Sequence, residues 1–97
     1  MVRHKRYGYL GVVVDSDPHC RAPDSWYSRN QTQPDRQQPW YHVLVDGSET
    51  ATYAAQTSLE EAERAMPIEH PLLDVFFTDF DGEAYVRNQR AWPSTWE

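Results

Sequence analysis

Side chains that could do chemistry are most concentrated at the start of the chain, where Arg3, His4, Lys5, Arg6 and Tyr7 are consecutive. Arginine and lysine neutralise phosphate charges, and these contacts supply much of the affinity of a nucleic-acid-binding surface. A basic cluster beside an edge strand also protects that edge against pairing with another molecule. The residues alone leave both interpretations open and favour the second, a solvated strand edge.

The remaining reactive side chains show no catalytic or metal-binding motif. His19 and Cys20 are neighbours in a polar segment that we expect to be flexible, and their spacing matches no zinc site. His42 lies among strand residues, where a hydrogen-bonded histidine of the barrel is the more common case. Asp79 and Asp81 flank a turn, where aspartate usually bonds its own backbone. A glycine-rich phosphate loop and a nucleophile elbow are absent. We therefore expect no enzymatic activity, no cofactor and no metal.

Length and composition limit the size and class of the protein. A chain of 97 residues is expected to form one domain, residues 1–97, with a modest core built on its 13% aromatic residues. No apolar run approaches the roughly 20 residues needed to cross a bilayer, and no signal-peptide order is present. The single Cys20 cannot form an internal disulfide. These features predict a cytoplasmic protein without a membrane partner, and they leave self-association open.

Charge is unevenly distributed along the chain. Residues 1–36 hold six Lys and Arg against four Asp and Glu, a net charge of +2, whereas residues 37–97 hold three against eleven, a net charge of −8. The total of −6 makes the protein as a whole a poor binder of polyanions. A DNA site would have to use the N-terminal patch, and the acidic remainder suits a basic protein partner.

The positions of β-branched and aromatic residues predict short strands. Residues 9–14 form the first long strand, and residues 40–54 form a hairpin that turns at Asp46-Gly47. Residues 75–77 and 83–86 flank Asp81-Gly82 and suggest a second hairpin. Gly8 and Gly11 are expected at a tight turn and at a bend of the first long strand. The expected barrel core comprises Tyr9, Val12, Val14, Trp40, Val43 and Val45.

The other segments interrupt this β pattern. Ser58-Leu59-Glu60-Glu61 has the form of a capping box, so we expect a single short helix over about residues 59–65. Residues 16–39 form a long loop with four prolines, in which residues 23–27 could make a helical turn that packs Trp26 on the barrel. Residues 89–97 are expected to wrap the surface or fray as a C-terminal tail.

Taken in order, these segments resemble a known family. The strings VRHKRYGYLGVVVDSDPHCRAPDSWY, QPWYHVLVDG, TYAAQTSLE and EHPLLDVFFTDFDGEAYVRN are similar to the YccV-like, hemimethylated-DNA-binding domain family, that of the bacterial heat shock protein HspQ. The resemblance covers residues 2–88, and its C-terminal part is more similar to versions attached to eukaryotic F-box and plastid proteins. Family members usually carry a short glycine-containing strand before the V-R-H motif. Here the chain starts at Met1, so we expect a shortened first strand and weaker barrel closure at that edge.

The resemblance implies a fold and two activities. The fold would be mainly β: a small, strongly bent SH3-like barrel with one short helix and a long loop between the first two main strands. One implied activity is binding of hemimethylated DNA, with a candidate site at Arg3, His4, Lys5, Arg6 and Tyr7. The other is an adaptor or specificity role for a Lon- or Clp-type protease or its substrates. For such protein contacts the exposed aromatic candidates are Trp26, Tyr27, Trp92 and Trp96.

Overall fold

The structure is a computed structural model that describes residues 1–30, 33–63, 66–80 and 84–93. Within these ranges seven strands and two short α-helices are present. In chain order they are β1 (Val2–His4), β2 (Leu10–Asp17), α1 (Asp24–Ser28), β3 (Trp40–Val45), β4 (Ala51–Ala55), β5 (Leu59–Glu61), α2 (Leu73–Phe76), β6 (Phe77–Phe80) and β7 (Tyr85–Arg87). None of the helices described is long and apolar enough to cross a membrane.

The main sheet is antiparallel and strongly bent. Its strand order is β4-β3-β2-β1-β5, so β4 and β5 form its two edges. These edge strands are nevertheless consecutive in the chain, joined only by a 3-10 turn at Gln56–Ser58. Such a short connection requires the sheet to curl until its edges approach each other, as in an open barrel. The predicted mainly β, barrel-like fold is therefore confirmed, and β6 and β7 add a separate two-stranded sheet.

Two glycines permit the curvature of β2. Gly8 has a φ of +74°, which places it in the left-handed region at the turn before β2. Gly11 lies so close to β3 that a Cβ atom there would be 2.5 Å from Val43 Cγ1. The register between β2 and β3 shifts between Val13 and Asp15, which marks a bulge. The turn predicted at Gly8 agrees with its position, whereas at Gly11 the structure shows a close approach to β3, and the bulge lies further along β2, between Val13 and Asp15.

The core follows the predicted alternation only in part, because β3 buries Leu44, which was not expected, next to Val43. Of the expected core residues, Val12, Val14, Trp40 and Val43 are buried, whereas Tyr9 and Val45 are half-buried. A larger cluster joins the main sheet to the C-terminal segment through Val12, Val14, Leu44, Ile68, Phe76 and Phe77. The second hairpin and α2 thus cover one face of the bent sheet.

The prediction of a helix over residues 59–65 is wrong. Leu59–Glu61 is strand β5, and it pairs antiparallel with β1 so that Leu59 lies opposite His4. Leu59 is 8% exposed and packs with Val43 and Ala54. A capping box satisfies only local donors, whereas the strand gives β1 a second partner and buries a leucine. Arg64 and Ala65 lie outside the described residues.

The helices occur elsewhere, and several boundaries differ from expectation. The helical turn predicted in the long loop is present as α1. The strand expected from residue 75 begins only at Phe77, because α2 precedes it, and the turn at Asp81-Gly82 lies outside the described residues. The long loop begins after β2 rather than at Ser16. Cys20 is not in a flexible segment: it is 4% exposed and packs with Trp40.

Candidate functional site

A pocket of about 480 Å³ opens between the edge strand β4 and the turn that connects β1 to β2. This volume lies within the range of about 300 to 1,000 Å³ that is typical of small-molecule sites. Every residue of β4 contributes to its lining. Six aromatic residues also line it and define what we call the aromatic pocket: Tyr7, Tyr9, Trp26, Trp40, Tyr53 and Trp92.

One wall of the aromatic pocket is organised by His4. Its Nδ1 accepts hydrogen bonds from the backbone N–H groups of Arg6 at 3.2 Å and Tyr7 at 3.1 Å. The imidazole also stacks on Tyr7 with 4.7 Å between ring centroids and lies 5.1 Å from Tyr9. Burial, and to a lesser extent the Arg6 charge, lower the pKa of His4 below its ordinary value of 6.5. His4 is therefore a neutral ring that accepts at Nδ1 and carries its proton on Nε2.

The opposite wall comes from the β3–β4 hairpin, where the strand register places His42 directly opposite Tyr53. The Tyr53 ring lies 5.3 Å from Trp40 and 4.5 Å from His42. Behind this wall, Tyr53 donates its hydroxyl hydrogen to Asp17 Oδ2 at 2.7 Å, and Arg21 donates its backbone N–H to the same hydroxyl oxygen. Burial is the largest cause of a raised pKa at Tyr53, so this phenol stays protonated.

His42 is held between the aromatic wall and the same carboxylate. Its Nε2 lies 3.7 Å from Asp17 Oδ2, and it is 7% exposed. Burial lowers the pKa of His42 below 6.5, although the charges of Asp17 and Asp15 oppose that shift. The net direction leaves His42 neutral at physiological pH.

Two tryptophans complete the rim from distant parts of the chain. Trp26, on α1, lies 5.6 Å from Tyr53 and 6.2 Å from Trp40, in edge-to-face arrangements. Trp92 lies 5.6 Å from His42 and 5.1 Å from Phe76. The long loop and the C-terminal tail therefore each supply one indole to the same pocket.

The basic residues of the N-terminal segment do not form one continuous face. Arg3 is exposed while its neighbour His4 is buried, because successive side chains of a strand point to opposite faces. The register places Arg3 beside Glu60 of β5. Lys5 and Arg6 are exposed in the following turn, and the Arg6 guanidinium lies 5.8 Å from the Tyr7 ring centroid. Of Arg3, Lys5 and Arg6, it is therefore Arg6 that lies near an aromatic ring of the pocket rim, that of Tyr7.

Comparison with known proteins places the chain in a family. Residues 1–84 match the family described as hemimethylated DNA-binding protein YccV like. The chain belongs to the YccV-like family. Proteins named F-box only protein 21 from Homo sapiens, Mus musculus and Pongo abelii are each 37% identical to it over 92 residues. The alignment covers 91% of this chain but only 14% of each relative, and no solved structure gives a significant match.

The structure of this YccV-like domain regroups the residues that the sequence singled out. His4 and Tyr7, predicted as DNA contacts, line one pocket with Trp26 and Trp92, predicted as protein contacts. Tyr27 lies behind this pocket: its ring is 6.3 Å from Trp40 and its hydroxyl donates to the Pro34 carbonyl oxygen. Trp96 lies outside the described residues.

Sequence reasoning missed Tyr53 and assigned His42 only a barrel role. The alternation within the predicted hairpin could have placed both on one face, because cross-strand partners share a face. Asp17, which accepts the Tyr53 hydrogen bond, could not have been found this way, because it lies in a strand outside that hairpin. In the described ranges no group of three or more His, Cys, Asp or Glu side chains could hold a metal ion.

Proposed function

We propose that this YccV-like domain is a non-enzymatic DNA-binding module that recognises duplexes methylated on one strand. The family description supports DNA as the ligand. The observation on which the proposal depends is the adjacency of exposed cations and an exposed aromatic ring in one turn, where Tyr7 is 56% exposed beside Lys5 and Arg6.

The turn offers the two kinds of contact that such recognition requires. Phosphate contacts fix the position of a protein on the duplex, and base contacts provide sequence or methyl recognition. Lys5 and Arg6 would contact the phosphates. Tyr7 offers an apolar ring that could contact a methyl group in the major groove. Arg3 lies on the other face of β1 and would reach phosphates only from the side of β5.

The test is titration of the chain with unmethylated, hemimethylated and fully methylated duplexes of one sequence. We expect the hemimethylated duplex to bind a few-fold more tightly than the unmethylated one, because one buried methyl group contributes about 0.8 kcal/mol. Lys5→Ala with Arg6→Ala should weaken binding to all three duplexes, and Tyr7→Ala should remove the preference. Arg90→Ala, which removes an exposed cation of the C-terminal segment, is the matched control. Identical binding of the three duplexes would reject methyl recognition.

A protein-interaction role is the second candidate, and the acidic edge of the sheet favours it. Edge strand β5 presents Glu60 and Glu61, and Glu63 follows; all three are exposed. An acidic edge suits a partner with a basic surface, such as a Lon- or Clp-type protease or its substrate. Adding the domain to a degradation reaction would then accelerate cleavage of a substrate by the protease. The double variant Glu60→Lys with Glu61→Lys would abolish this acceleration. Degradation unaffected by the domain would exclude this role for the protease tested.

A further inference from the structure

The aromatic pocket is an uncharged cavity in an acidic protein. Among the described residues that line it, none is Lys, Arg, Asp or Glu. Its two histidines, His4 and His42, are both neutral at physiological pH for the reasons given above. The negative charges of Asp15 and Asp17 act on the wall that holds His42, whereas the positive charge of Arg6 acts on His4 at the opposite wall. A ligand that rests against the wall formed by His42 and Tyr53 therefore meets aromatic rings with negative charge behind them.

The hydrogen bond behind Tyr53 strengthens this electrostatic character. A phenol that donates to a carboxylate gains electron density, and the face of an electron-rich ring attracts cations. Here the donor is the Tyr53 hydroxyl and the acceptor is Asp17 Oδ2, at 2.7 Å. The Asp17 side chain is 12% exposed, so water screens its charge less than at an open surface.

The ring orientations favour a rounded group over a flat one. A flat nucleobase stacks best on parallel faces, whereas Trp26 is inclined by 66° to Tyr53 and by 73° to Trp40. Rings at such steep angles form a curved wall. Trp92 and Tyr9 add further half-buried aromatic surface to the same cavity.

We propose that the aromatic pocket binds a methylated ammonium cation, such as the trimethylated amino group of a lysine side chain. Methyl groups make the surface of the cation apolar and lower the free energy needed to remove it from water, while its charge is attracted to the ring faces. A pocket of about 480 Å³ is much larger than one ammonium group, so the chain that carries it also enters. Asn30, Thr52 and Ser58, which also line the pocket, offer polar contacts to that chain.

The test is an NMR and tryptophan-fluorescence titration of the chain with four probes. Three probes are one peptide that carries trimethyllysine, unmodified lysine or a neutral tert-butyl isostere of trimethyllysine at the same position. The fourth probe is tetramethylammonium chloride, with sodium chloride as its salt control. We expect the trimethyllysine peptide to bind at least about tenfold more tightly than the lysine and isostere peptides. Shifts should be concentrated at Trp26, Trp40 and Trp92.

Tetramethylammonium distinguishes two sources of the cation, a free quaternary ammonium compound and a methylated lysine of a protein. Binding as tight as that of the trimethyllysine peptide would support the chemistry and point to a free quaternary ammonium compound, whereas tighter peptide binding would support a modified protein. Equal binding of the isostere would overturn the proposal, because the pocket would then select shape without charge. Absence of any shift at the pocket with all four probes would overturn it as well.

Two conservative variants test the electrostatic origin without removing a ring. Tyr53→Phe keeps the aromatic face but removes both hydrogen bonds of the hydroxyl, the one to Asp17 and the one from the Arg21 backbone N–H. Asp17→Asn keeps the side-chain size but removes the charge. Both should weaken trimethyllysine binding several-fold and leave binding of the isostere unchanged. Tyr85→Phe is the matched control, because its hydroxyl bonds to Ile68 outside the pocket. Circular dichroism establishes that each variant is folded, and folded variants with unchanged affinity would overturn the proposal.

Discussion

His4 and His42 show how the pocket keeps its walls uncharged. Each imidazole is buried, at 6% and 7% exposure, and each has a pKa below its ordinary value mainly because burial disfavours the charged form. His4 depends on an unprotonated Nδ1 to accept two backbone N–H groups. Protonation at Nδ1 would remove these two hydrogen bonds from the turn that carries Lys5 and Arg6.

The first prediction concerns the pH dependence of stability. The unfolded histidines titrate near 6.5 and the folded ones lower, so below pH 6.5 the unfolded chain binds more protons. Their contribution to stability is therefore complete above pH 6.5 and is lost as the pH falls through the folded pKa values. Urea midpoints measured from pH 8 to pH 5 should decrease, and His4→Gln with His42→Gln should flatten that decrease. His19→Gln, at an exposed position, is the control, and an unchanged slope in the double variant would contradict the explanation.

The second prediction concerns Trp40, which is 3% exposed and contacts the rings of Trp26, Tyr27 and Tyr53. Trp40→Ala should lower the free energy of unfolding by about 3 to 5 kcal/mol, as expected for truncation of a buried aromatic side chain. Equilibrium urea denaturation measures this change. Trp92→Ala, at a half-buried position, should cost clearly less, and equal effects would show that Trp40 belongs to the pocket surface rather than the core.

At the scale of elements, the close approach of β2 to β3 depends on Gly11. A methyl group there would lie 2.5 Å from Val43 Cγ1 and 2.6 Å from the backbone oxygen of Leu44, which cannot move without distorting β3. Gly11→Ala should therefore destabilise the domain by about 1 to 3 kcal/mol. Gly8 has open space but a φ of +74°, a conformation that asparagine tolerates. Thermal unfolding should show Gly8→Asn close to the parent and Gly11→Ala clearly less stable; the reverse order would refute the packing argument.

The β3–β4 hairpin and the turn at Gly8 could be predicted because their patterns are local: strand alternation, a turn dipeptide and glycine. Strand β5 could not, because its partner β1 lies more than fifty residues away in sequence and the local capping box favours a helix. The same limit applies to the candidate site. His4 and Trp26 could be predicted as candidate contact residues from their residue types, but the pocket that they share depends on the bend of the whole sheet. Tyr53 draws its electronic character from Asp17, another long-range contact.

At the scale of the whole molecule, charge is separated between the turn proposed to contact DNA and the edge strand proposed to contact a protein. The turn between β1 and β2 exposes Lys5 and Arg6, whereas β5 exposes Glu60 and Glu61 next to Arg3. With a net charge of −6, the protein as a whole repels DNA, so binding requires a local cluster of exposed cations such as Lys5 and Arg6 in that turn. A DNA complex would therefore need to orient the turn toward the duplex and keep the acidic edge in solvent.

This separation limits how strongly DNA binding can depend on salt. Each phosphate neutralised on duplex DNA contributes about −0.9 to the slope of log K against log salt. With only Arg3, Lys5 and Arg6 in the N-terminal segment, the slope should be shallower than about −3. The affinity for DNA, measured by fluorescence anisotropy, should fall steadily as the salt concentration rises from about 25 to about 200 mM. Arg6→Ala should reduce the slope by about one unit, whereas Arg90→Ala should leave it unchanged. A steeper slope, or submicromolar methyl-selective binding at physiological salt, would show that cations beyond Arg3, Lys5 and Arg6 contact the duplex.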